Sequence, residues 1–289
     1  MDFRAALSES FRFTRETLLG NRTRWPVLIL LSLPMVLIRI FFGGENLPSE
    51  LFSGTFTLWQ YIERSAIPVL FSSLPGMFIH GYEARIYRGS TDPSGFGHPV
   101  QMFINGFRLW IVSFVWSVPV YVCVFLMIAG MFEAGVIGGH GAVNRDLVLL
   151  TLGLAVTVAI LFIIIALFNT IGAIRYARTG SIREGLNYRE ILATIRKIGW
   201  GTYILSYLIV IAIALVTAVL VWAAICIGAI LVILVSHNKN AILAIFPVII
   251  WVIPSVFVPW IVVFWSRFIT LVYDSGTPTP ERIAHGGME

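Results

Sequence analysis

Six stretches of the chain are almost continuously apolar: Trp25–Phe42, Ala66–Tyr82, Leu109–Phe132, Leu147–Ile174, Gly201–Ser236 and Ala241–Tyr273. A helix crossing a hydrocarbon core of roughly 30 Å needs about 20 such residues. The pattern therefore predicts an all-α membrane protein with six spans, paired as three hairpins. The third and fourth stretches contain no charged residue. From Ile198 to Asn238 there is no Asp, Glu, Lys or Arg either. At about 1.5 Å per residue that segment outruns the bilayer, so it must tilt, bend near Gly228 or extend into water. Two shorter spans are the alternative, although no turn signal divides the segment.

A second periodicity precedes spans one, three and five. Phe3, Leu7, Phe11 and Leu18 recur at near-helical spacing among arginines. Val100, Phe103, Ile104, Phe107 and Trp110 follow Pro99, a favoured first-turn residue. Tyr188, Ile191, Leu192, Ile195 and Ile198 follow Ser181 and Glu184, which have capping-box spacing. Each set predicts a short amphipathic interfacial helix leading into a hairpin. The hairpin ends echo one another too, as Arg85-Ile-Tyr-Arg88-Gly89-Ser90 and Arg175-Tyr-Ala-Arg178-Thr-Gly180-Ser181, with Arg267 and Ser275-Gly276 as a degenerate third. These echoes suggest one membrane domain over 1–275, with repeats at 1–97, 98–180 and 181–275 and a tail at 276–289. The plainer reading is that Arg and Gly mark helix ends in any membrane protein.

Composition agrees with the spans. Of 289 residues 58% are hydrophobic and 12% charged, and the mean hydropathy is +0.88. A soluble domain has about 25% charged residues, so an ordinary cytosolic enzyme or a nucleic-acid binder is excluded despite a net charge of +5. Of the 20 Lys and Arg, only Arg39, Arg64, Arg145 and Lys239 fall on one side of the six-span partition. Cytoplasmic segments carry the positive excess, so both termini are expected in the cytoplasm and the chain in the cell membrane. Met1–Arg24 lacks the early apolar core of a signal peptide, and the N-terminus is expected to be retained. The basic amphipathic segments imply anionic headgroups as partners, since each cation at such a surface contributes on the order of 1 kcal/mol. A membrane-protein partner or a second copy of the chain is the other expectation.

Candidate chemistry is sparse. Cys123 and Cys226 lie in apolar runs without a CxxC pair, and the histidines at 80, 98, 140, 237 and 285 show no metal-ligand spacing. No cofactor, metal or catalytic constellation is expected, nor does Gly138-Gly139-His140-Gly141 have the context of a phosphate cradle. His80, Glu83, Arg85 and Arg88 cluster at the end of span two, and Glu83 is expected to pair with Arg175 or Arg178. Arg39 can snorkel to the interface. Asn169 in span four is a candidate intramembrane contact, for packing or for a solute. Proline at 68, 75, 119, 247, 254 and 259 removes helix hydrogen bonds, with kinks expected at Pro75, Pro119 and Pro254. These features support a non-enzymatic membrane-organising, lipid-interacting or accessory protein. The alternative is a small secondary transporter with its site between kinked helices.

Two segments carry a family resemblance. Gly81-Tyr82-Glu83-Ala84-Arg85-Ile86-Tyr87-Arg88, with Pro99, Phe103 and Gly106-Phe107, resembles the prokaryotic membrane family termed domain of unknown function (DUF) 4013. So does Arg175-Tyr176-Ala177-Arg178-Thr179-Gly180, followed by Tyr188-Arg189-Glu190-Ile191 and Arg196. The likeness extends over roughly 1–275. The linker Ser90–His98 departs from it in lacking an acidic Pro-x-Trp element. The resemblance implies a polytopic helical membrane protein and supplies no reaction, substrate or catalytic residue.

Overall fold

A computed structural model describes residues 1–20, 23–42, 58–90, 98–134, 145–235 and 239–276, and among these the chain is helical with no strand. The helices are α1 (Phe3–Leu19), α2 (Arg24–Phe42), α3 (Leu58–Tyr87), α4 (Pro99–Glu133), α5 (Arg145–Thr179), α6 (Ile182–Leu186), α7 (Tyr188–Ile198), α8 (Trp200–Val235) and α9 (Lys239–Gly276). Four contain stretches long and apolar enough to cross a membrane: α4, α5, Trp200–Val232 of α8 and Ile253–Gly276 of α9. The first two expected spans fall on α2, where Arg24–Leu33 is a shorter apolar helix, and on α3. The side chains of Arg39, Arg64, Pro68 and Pro247, the loop with Gly138–Gly141, His237 and the tail beyond Gly276 lie outside the described residues.

Local signals account for most helix ends. Asp2 caps α1 by accepting from the backbone N–H of Arg4 at 2.9 Å and of Ala5 at 3.1 Å. Asn187 caps α7 through the N–H of Glu190. Gly89, Gly180 and Gly199 follow α3, α5 and α7 with φ of 88°, 71° and 92°, a conformation that costs glycine nothing. Two expectations change here. The amphipathic segment after Pro99 is no separate helix but the first three turns of α4, because no residue between Val100 and Trp110 ends it. Ser181 and Glu184 do not form a capping box: Ser181 makes no side-chain cap bond, and Glu184 is drawn to Arg175. The long fifth segment is a single helix of 36 residues, and α3, α4 and α9 run unbroken through Pro75, Pro119 and Pro254.

The core sits at one end of the bundle. α5 buries only residues between Thr170 and Ala177, and α4 buries Met102 to Val112 plus Val120. None of the most apolar 18-residue stretch of α5 is buried. Helix α9 is the hub, packing against α1, α2, α3, α5, α7 and α8. One apolar cluster gathers Ile174, Ile191, Tyr203, Phe268 and Val272, and the other Phe13, Leu28, Tyr82, Met102 and Val263.

Backbone contact sets the helix spacing at this end. A Cβ on Gly106 would lie 1.7 Å from the Met77 carbonyl oxygen, and one on Gly81 would lie 2.0 Å from that of Met102. Glycine lets α3 and α4 touch main chain to main chain, as small residues do in membrane bundles. Gly172 of α5 meets Gly185 of α6 similarly, and Trp116 of α4 donates from Nε1 to the Gly185 carbonyl at 3.1 Å. Gly106→Ala must therefore separate α3 from α4 and is expected to cost about 2–3 kcal/mol or more. Gly153→Ala, with nothing within 4 Å of its added carbon and alanine favoured over glycine inside a helix, should not lower the unfolding temperature of the purified protein.

Candidate functional site at the arginine-rich end

The C-termini of α3, α5 and α9 converge beside the start of α4. A helix C-terminus exposes carbonyls that lack intrahelical partners and carries roughly half a negative charge. Two of these ends exchange their caps. Arg88, just past α3, donates from Nε to the Ala177 carbonyl of α5 at 2.9 Å. Arg178 of α5 donates from Nε to the Tyr87 carbonyl of α3 at 3.1 Å. Each arginine thus binds the residue that precedes the other arginine, so the echoed motifs meet with twofold reciprocity.

Arg178 also ties in the third end. Its Nη2 donates to Asp274 Oδ1 of α9 at 2.5 Å, and its guanidinium stands 4.7 Å over the Tyr273 ring. Both partners of this ion pair are about three-quarters buried. Asp274 precedes Gly276 by two residues at the end of α9, as Arg178 precedes Gly180 at the end of α5. Matching Asp274-Ser275-Gly276 to Arg178-Thr179-Gly180 would have found it. Arg267 lies further back on α9, where it pairs with Glu9 and stacks 4.8 Å over Phe13 of α1.

The expected pairing of Glu83 with Arg175 or Arg178 is not formed. Glu83 lies 2.7 Å from His80 Nδ1, one turn back on α3, because both positions face along α3 while the arginines are held by carboxylates nearer to them. Arg175 meets Glu184 at 2.6 Å and Glu190 at 3.8 Å, which seats α6 and the start of α7 on α5. Arg85 lies in the last turn of α3. The site is thus a clamp built of Arg88, Arg175 and Arg178, with His80 and Glu83 as a separate pair beside it.

Asn169 lies where α5 meets α8. Tyr203 and Tyr207 donate to the carbonyls of Leu167 at 2.6 Å and Ala166 at 2.7 Å, and Thr170 bonds the Tyr207 hydroxyl. Asn169 Oδ1 is buried without a hydrogen-bond partner among the described residues. Pro259 of α9 is accommodated from outside the helix. Pro259 has no N–H for the Ser255 carbonyl, and Ser32 Oγ of α2 lies 3.1 Å from that oxygen while also 2.8 Å from its own Ile29 carbonyl. Trp25 donates from Nε1 to the Val256 carbonyl at 3.1 Å. Such external partners are what let proline persist in a membrane helix. Beyond the clamp, an open cleft of about 530 Å³ lies between α1 and α9, lined by Ser8, Phe11, Arg12, Arg15 and Trp260.

A family model described as "Protein of unknown function (DUF4013)" matches residues 66–227, from within α3 to within α8. The reciprocal caps lie inside that range, and Asp274, Arg267 and all of α1 lie outside it. Neither the comparison with curated proteins nor that with solved structures finds a match.

Removing Arg178 leaves Asp274 without its cation and the Tyr87 carbonyl without its cap. Arg178→Ala is expected to lower stability by about 2–3 kcal/mol, less than for a fully buried pair because both groups keep some solvent. Asp274→Asn should cost less, and the double variant should cost less than the sum of the two. Additive losses in thermal unfolding would mean that the pair does not join α5 to α9.

Proposed function

The chain belongs to the family described as Protein of unknown function (DUF4013), and from its own geometry we propose that it is a non-enzymatic protein of the cell membrane whose arginine-rich end forms a platform for lipids or a protein partner. In this reading α2 and α3 join the four long apolar helices as spans one and two, giving three hairpins with both termini in the cytoplasm. The positive excess then lies at the cytoplasmic face, and the echoed hairpin ends are remnants of a repeat. The observation that supports the platform best is the distribution of burial. Side-chain packing, ion pairs and caps gather at one end of the bundle, while the most apolar stretch of α5 buries nothing. Four helices of 35 to 38 residues span about 52–57 Å at 1.5 Å per residue. That exceeds a roughly 30 Å hydrocarbon core and leaves length for a bundle in and beyond the headgroups.

One observation favours the second reading, a small secondary transporter: the buried, unpartnered Oδ1 of Asn169 on α5. A solute path needs polar groups at depth, and an orphaned amide oxygen is one.

Purification from native membranes in a mild polymer, followed by mass spectrometry of the co-purifying proteins and lipids, tests the choice. The platform predicts a stoichiometric protein partner or one enriched lipid class. Enrichment of neither, with solute flux into liposomes that Asn169→Leu abolishes, would favour transport. Reporters fused to the two termini are both expected to register the cytoplasm.

A further inference from the structure

The cleft between α1 and α9 sets two arginines and a serine hydroxyl beside an aromatic floor. Ser8, Phe11, Arg12 and Arg15 stand at i, i+3, i+4 and i+7 of α1, so one stripe of the helix supplies four of the five lining residues. The opposite stripe, including Ala6, Ser10, Phe13 and Thr17, is buried and holds that wall in place. Ser10 and Thr14 turn their hydroxyls back to the carbonyls of Ala6 and Ser10, at 2.7 Å each, so they bring no unmet polar group to the helix interface. Glu9, an acid beside the stripe, is engaged by Arg267. Arg175, Arg178 and Arg267 all have carboxylate partners, whereas Arg12 and Arg15 have none among the described residues.

The floor is aromatic. The Phe11 ring lies 5.7 Å from Trp260 and 4.7 Å from Phe264, and Trp260 and Phe264 stack at 5.4 Å. Trp25 reaches the Val256 carbonyl one turn of α9 before Trp260. Two tryptophans at neighbouring levels of the bundle are what the membrane–water interface selects. Guanidinium forks match phosphate oxygens, and the aromatic floor beside them suits the start of an acyl chain better than it suits a free ion.

We propose that this cleft binds the headgroup phosphate of an anionic phospholipid, with Arg12, Arg15 and the Ser8 hydroxyl donating to its oxygens and the glycerol and chains leaving over Phe11 and Trp260. The proposal rests on the platform reading and names its lipid site.

The test uses the full chain in phosphatidylcholine nanodiscs containing phosphatidylglycerol, with retained lipid read by native mass spectrometry. Arg12→Gln/Arg15→Gln is expected to weaken phosphatidylglycerol retention roughly thirtyfold, the effect of two cations at a headgroup. Arg4→Gln/Arg189→Gln, an equal loss of charge at exposed positions outside the cleft, should weaken retention far less than the cleft variant does. Ser8→Leu, which fills the cleft and keeps every charge, should also weaken it. Because Ser8, Arg12 and Arg15 are exposed, these variants should unfold at the wild-type temperature. Equal retention in the cleft variants, or equal loss in the charge-matched control, overturns the site. Full displacement of phosphatidylglycerol by inorganic phosphate would reassign the cleft to a soluble anion and overturn the lipid assignment. If the wild-type chain holds phosphatidylglycerol and the cleft variants hold it as well, only the cleft is wrong. A wild-type chain that retains neither anionic lipid nor a protein partner removes the platform reading too.

Discussion

Three helix C-termini meeting at one place form an electrostatic problem that the rest of the structure resolves. The ends of α3, α5 and α9 each present unpaired carbonyls and a partial negative charge, and bringing them together without cations would be repulsive. Arg88 and Arg178 cap each other's helices, and Arg178 adds the Asp274 carboxylate and the Tyr273 ring of α9. The guanidinium group suits this task because its planar fork can serve a carbonyl, a carboxylate and an aromatic face together. Beside the clamp, the glycine contacts at 81 and 106 hold α4 against α3, and those at 172 and 185 hold α6 against α5.

With the ends fixed, the unusual length of the helices acquires a reason. A bundle of bilayer-matched helices would bury its core at mid-membrane. Here the described core lies at the ends of α3, α5 and α9, and the apolar surfaces of α4, α5 and α8 away from it are largely exposed, as at Phe125, Ile163 and Leu220. Lipid is as apolar as leucine and offers little drive to pack helices together. The platform reading takes this as a bundle packed where it leaves lipid, with α1, α6 and α7 added at that end. This accounts for the hub role of α9, whose most apolar 18-residue stretch within 253–276 is more than half buried.

Proline and serine in α9 illustrate how local defects depend on neighbours. The carbonyl that Pro259 leaves open is met by Ser32, and Val256 is met by Trp25, so α2 is bonded to α9 where the latter's ladder is interrupted. The proline pattern alone is equally compatible with a gating transporter helix and with a static joint. What the fold adds is two hydrogen bonds from α2 at this level of α9.

Much was legible in the residues themselves. The long apolar runs, the glycine stops after Tyr87 and Arg178, and the echo of the two arginine motifs are local or periodic signals, and the described helices follow them. Those signals are short in range: a helix needs its own side chains, and Gly89 or Gly180 needs only its own φ. Partner choice was another matter. Glu83 and Arg178 have complementary charge, yet Glu83 stays with His80 and Arg178 takes Asp274, almost a hundred residues away. Likewise the stripe from Ser8 to Arg15 shows in sequence as a basic helical face, but its conversion into a cleft depends on Trp260 arriving from α9. Composition and periodicity decided the solvent and the secondary structure because each residue answers them alone. Only the tertiary structure decided which charges meet, since a Coulomb or hydrogen-bond partner is selected by distances that the packing of α9 against α5 and α1 sets.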